Sequence, residues 1–179
     1  EVTVTEEWIA RYDGEGYLPY ISHDRVTAMT VDNDGNVYVT GASYVSRAIN
    51  NLDYITVAYD PSGNERWVAH YSSPIVNAHD IPTAIVTENA GNVYVTGNSG
   101  HSARDFVTVA YDSSGNELWV ARYDGPGSGL DHAFAMAIDD SGNIYVTGVS
   151  GSYVPDIGYV LVGTTVAYDS SGNELWVSH

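Results

Sequence analysis

The sequence contains no cysteine and no lysine. Without thiols there are no disulfides, no thiolate nucleophiles and no cysteine-based zinc sites, and the redox compartment leaves no mark. Without lysine, Schiff-base chemistry and lysine isopeptide crosslinks are excluded as well. Positive charge rests on six arginines against 23 acidic residues, a formal net charge of −17 that repels phosphate backbones and argues against nucleic acid as a partner. No apolar run approaches the ~20 residues that cross a bilayer, so no membrane span is expected. No charged-then-apolar leader opens the sequence, which reads as a soluble or already processed chain. No Asn-x-Ser/Thr acceptor occurs, and no stretch has a helical period.

What is plentiful is strand and turn chemistry: 15 Tyr, 4 Trp and 18 Gly stand among many Val and Thr in 179 residues. The pattern is repetitive. "VAYDSSGNELWV" occurs at 109–120 and again at 166–177, with "VAYDPSGNERWV" at 57–68. Trp recurs at 8, 67, 119 and 176, while "VYVTG" at 37–41 and 93–97 returns as "IYVTG" at 144–148. A period in this range signals a solenoid or propeller array, here a single domain over 1–179. Each unit (27–71, 83–123 and 134–179) reads as four strands, such as 27–32, 36–41, 54–60 and 65–71. An extra strand within 1–12, "EEWIARY" at 6–12, precedes them. Two Gly-Asn turns fall in each unit, at Gly35, Gly63, Gly91, Gly115, Gly142 and Gly172. An acidic residue three positions back suits the start of a type I turn and Gly the φ > 0 that follows, so neighbouring strands are antiparallel.

The strands are apolar or small almost throughout, which predicts burial on both faces. Four-stranded antiparallel sheets buried on both faces and repeated are propeller blades. Ala28, Ala84 and Ala135 suit a crowded centre, and the Trp residues a wider rim. The expected fold class is therefore all-β: a β-propeller-type array of about three blades plus an extra N-terminal strand. The combination "AIDDSGNIYVTG" (137–148) with "DFVTVAYDSSGNELWVARYDGPG" (105–127) resembles the bacterial and archaeal propeller repeat called the SBBP repeat. The resemblance covers nearly the whole chain. It implies a propeller in a secreted or surface protein and no general catalytic signature. A lysine-free, acidic, Tyr/Thr/Ser/Gly-rich surface points the same way, to an extracellular or cell-surface location.

Few residues suggest chemistry. "DNDGN" (32–36) places Asp32 and Asp34 like the opening of a calcium loop, but the bidentate Glu is missing and a plain hairpin turn reads better; no cofactor is expected, with calcium the one weak candidate. Asp24, Asp80 and Asp131, each eight residues before a turn acid, are expected to bond backbone amides where a loop enters the first strand, with a cation-binding carboxylate ring as the alternative. His23 and His79 precede two of them but Leu130 the third, which argues against a His–Asp pair. "DGPGSG" (124–129) opens no helix, and no Ser sits in a nucleophile elbow. Loop aromatics Tyr17, Tyr20, Tyr44, Tyr153 and Tyr159 either cover blade edges, or stack on a sugar or fill a partner's pocket.

Three blades fall below the usual four to eight, and the array neither closes nor shows polar caps. Either the sequence is a segment of a longer propeller, or copies of the chain are the expected partners, in a homo-oligomer or filament. "EVTVT" and the Trp strand, through Val2, Val4, Trp8 and Ile9, would extend a neighbour's sheet edge. A non-enzymatic, self-assembling structural protein is the leading expectation, and a carbohydrate- or cation-binding module the second.

Overall fold

In the computed structural model the residues described are 7–12, 24–44, 51–101, 103–126 and 129–179. They form twelve strands: β1 (Arg25–Val31), β2 (Val37–Tyr44), β3 (Leu52–Tyr59), β4 (Glu65–Tyr71), β5 (His79–Thr87), β6 (Val93–Gly100), β7 (Arg104–Tyr111), β8 (Glu117–Tyr123), β9 (His132–Ile138), β10 (Ile144–Val154), β11 (Gly158–Tyr168) and β12 (Glu174–Ser178). Consecutive strands pair antiparallel into three four-stranded sheets, β1–β4, β5–β8 and β9–β12. Each first strand begins a few residues earlier than expected. Among the described residues no helix is long and apolar enough to cross a membrane.

The Gly-Asn turns have the expected chemistry. In the outer turn of the first sheet, Gly63 N–H donates to Asp60 O and Asp60 N–H to Asn64 O, both at 2.9 Å. Asp60 Oδ1 accepts from Ser62 N and Asn64 N, and its Oδ2 from Asn64 Nδ2. The same bonds recur at Asp112 and Asp169, so one carboxylate clamps each turn. The Gly of "VYVTG" answers a different demand. A Cβ on Gly97 would lie 2.2 Å from Ile81 O, where the innermost strand bulges between Pro82 and Ala84.

The sheets pack face on face in chain order. Tyr38, Tyr54, Ala58 and Trp67 of the first sheet meet Ile85, Val93, Val95, Val107 and Val109 of the second. Tyr94, Phe106 and Ala110 of the second meet Ile144, Val146 and Val166 of the third. Every sheet thus has a Tyr/Thr/Ala/Trp face and a Val face, and the first kind packs on the second. The innermost strands adjoin, β1 beside β5 and β5 beside β9. Burial on both faces holds for the second sheet, in which every residue of β6 is buried. Among the described residues no further sheet covers the Val face of the first sheet or the Tyr/Thr/Ala/Trp face of the third.

Within the strand expected at 6–12, residues 7–12 carry no strand assignment and residue 6 lies outside the described residues. Ala10 and Tyr12 instead pack on Ile55, Val57 and Tyr59 of the first sheet. The expectation that Tyr153 and Tyr159 lie in a loop is also corrected. Residues 151–154 and 158–163 extend β10 and β11 into a long hairpin turned at 155–157, with Tyr153 directly opposite Tyr159.

Candidate interaction faces

The repeated twelve letters form an interlock between sheets. The Trp67 ring lies over Gly115, where a Cβ would come within 2.7 Å of it, and 6.1 Å from the Tyr111 ring. Its indole N–H donates to Ser113 O at 3.2 Å. Trp119 repeats this on Gly172, Tyr168 and Ser170 O. Thus the Trp of each motif covers the Gly of the next. Trp8 does the same for the first sheet: it stands over Gly63, 6.1 Å from Tyr59. Ala10 and Tyr12 pack beside it on Ile55, Val57 and Tyr59. Residues 8–12 therefore hold the place that Trp67–Tyr71 holds on the second sheet.

Inward of this segment the Val face of the first sheet opens into an apolar groove of about 420 Å³, lined by Met29, Val37, Val39, Ile55 and Val57 among others. Their register counterparts in the second sheet (Ile85, Val93, Val95, Val107 and Val109) are all buried. At the other end the third sheet presents the matching kind of face. Tyr145 and Trp176 lie 5.9 Å apart, as do Tyr38 and Trp67. The Thr147 and Thr165 hydroxyls meet at 3.0 Å, as those of Thr40 and Thr56 do at 3.2 Å. Trp176 is nonetheless 46% exposed and Trp67 only 9%. Gly163 stands where the other sheets have Tyr54 and Phe106, and nothing lies within 4 Å of a Cβ built there.

The acidic candidates bond groups of the protein itself. Asp32 Oδ1 accepts from Asp34 N and Asn36 N, and its Oδ2 from Asn36 Nδ2 and Tyr38 OH, so the carboxylate serves its own turn. Asp131 accepts from Gly125 N, Gly151 N and Ser150 OH; Asp80 accepts from Ser73 N, and Asp24 from Ser43 OH. These three carboxylates do not converge. Those that do are Asp105, Asp124 and Asp131, within 4.8 Å of one another, with Arg122 bonded to Asp105 at 2.5 Å. A pair the sequence did not flag is Asp53 and Asp80, buried with an Oδ1 each that has no hydrogen-bond partner among the described residues. Burial pushes Asp53 up to about 6, with the Asp80 charge adding to it, and burial raises Asp80 too. His79 accepts from Leu52 N through Nδ1.

Among the aromatics, Tyr44 ends β2, opposite Leu52, and is half-buried. Tyr159 OH accepts from Leu130 N at 2.7 Å, so its hydroxyl braces the hairpin, while Tyr153 is 67% exposed. Val2, Val4, Tyr17, Tyr20 and His23 lie outside the described residues. The interlock was missed because Trp and Gly read as parts of one hairpin; their recurrence together in every copy was the available signal. No family model matches the chain, and no curated protein matches it.

Proposed function

We propose that this chain is a non-enzymatic structural protein that associates head to tail with copies of itself outside the cell, its three sheets serving as propeller blades. The observation that carries the reading is the pair of unlike raw faces: an open Val face on the first sheet and a Tyr/Thr/Ala/Trp face on the third. The chain packs these two kinds of face together twice within itself. A third such contact between copies is heterologous, and its rotation decides between ring and filament. The likeness of the repeat to SBBP-type repeats supports reading the sheets as blades. The lysine-free acidic surface supports the extracellular placement.

The net charge of −17 opposes association, so added salt should strengthen it. Light scattering across concentration at low and high salt tests the proposal. The expected result is a mass that rises with concentration, more steeply in salt, and that Met29→Glu abolishes without changing the melting temperature. A monodisperse monomer under all conditions overturns it. Carbohydrate binding is the second reading, favoured by the exposed Tyr153 ring on the projecting hairpin. Glycan titration of Tyr153→Ala against the unaltered chain tests that one.

A further inference from the structure

Resting on the self-association reading, we infer that residues 7–12 occupy the seat for the outer strand of a second copy's third sheet, so that Trp8 must leave for Trp176 to enter. One seat has two claimants of the same design. Trp8, Ala10 and Tyr12 sit on the first sheet in the manner of Trp67, Ala69 and Tyr71 on the second. Trp176 already holds the orientation that Trp67 and Trp119 have when seated, since its distance to Tyr145 equals theirs to Tyr38 and Tyr94, 5.9 Å in all three. It lacks only a Gly to lie on. Gly63 is the turn glycine that Trp8 covers, and the other two Trp–Gly contacts are made between sheets of the chain.

The two claimants are held differently, and this decides which one yields. β12 is fixed to β11 by a ladder from Thr165↔Ser178 to Tyr168↔Glu174. Residues 7–12 belong to no sheet, and Ile9 and Trp8 are 63% and 36% exposed. Removing them breaks no ladder, whereas taking β12 away from β11 would uncover a sheet edge. The occupant is therefore an intact third sheet, which fills the groove over Met29, Val39 and Val57 while Trp176 replaces Trp8. A seat filled most of the time by the chain's own segment lowers apparent affinity by the fraction of molecules in which it is free.

Sedimentation velocity on four full-length chains tests this: unaltered, Trp8→Ala, Trp176→Ala and the double variant, with near-UV dichroism confirming folded sheets. The expected result is association about tenfold tighter for Trp8→Ala. Trp176→Ala should weaken association, and the double variant should match Trp176→Ala, because vacating the seat helps only if Trp176 is there to use it. Added peptide of residues 1–12 should compete with association of Trp8→Ala. Tighter association of the double variant would show that Trp176 is not the entrant and overturn the inference. Weaker association of Trp8→Ala would overturn it and make the segment a connector, leaving self-association standing. No association by any of the four would remove both.

Discussion

Met29 and Ile85 hold the same register position in the first and second sheets, yet Met29 is 61% exposed and Ile85 only 6%. Around Ile85 the valines of β6 and β7 are sealed by the Tyr and Trp residues of the preceding sheet. Around Met29 the same kind of surface is roofed, among the described residues, at its outer part by residues 7–12. A blade-like sheet in this chain thus has no fixed interior: a position is core when a neighbour covers it and interface when none does. The twelve-letter motif shows the same dependence, since Trp67 is buried on Gly115 while Trp176 projects into solvent.

Truncating the two counterparts separates them most. Ile85→Ala should cost about 2–5 kcal/mol by lost burial and a cavity, and Met29→Ala about 0.5 kcal/mol or less, read from urea midpoints at low protein concentration. Equal losses would mean that the groove is covered in solution. The turns give the next contrast. Gly115 and Gly142 have φ of 85° and 80°, but a Cβ on Gly115 would meet Trp67 at 2.7 Å and one on Gly142 nothing nearer than 3.6 Å. Gly142→Ala should therefore show backbone strain of about 1 kcal/mol, and Gly115→Ala roughly twice that with loss of the buried Trp67 signal.

The carboxylates compare by sign. The folded Asp53 titrates at about 6, above its ordinary 3.8, so the native state holds its proton more tightly. Its contribution is fully present below the unfolded value and lost as pH rises through 6. Asp53→Asn should accordingly stabilise by on the order of 1–3 kcal/mol at pH 7 and by little at pH 4, in melts run at both. In the turns, hydrogen bonds from Asn64 and Asn116 hold Asp60 and Asp112 below the ordinary range, and there stability is lost as pH falls. The smallest effect is expected from chelation: because Asp32 is occupied by its own turn, removing divalent cations should leave the melting temperature within a degree or so. A larger fall would restore the calcium reading of Asp32 and Asp34.

Much of this was legible in the letters. The Asp…Gly-Asn turns carry their own conformation, and "VYVTG" announces a strand that passes close to its neighbour's backbone, as Gly97 does. The long β10–β11 hairpin was not read, although Pro155 and Asp156 mark its turn, because it breaks the spacing of the other two units. The influence of the Asp80 charge on Asp53 joins residues from different repeats, and local pattern gives no measure of such distances.

The sequence by itself determined the strand order, the three antiparallel meanders and the six glycine turns, because each rests on strand patterns that follow one another along the chain and on the turn residues between them. Only the tertiary structure decided that the Trp of one repeat lies on the Gly of the next and that 7–12 roof the first sheet without forming a strand. It alone decided which of three similar Val faces is left open among the described residues. Those outcomes depend on which surfaces are neighbours, because a valine becomes core only when another surface excludes water from it.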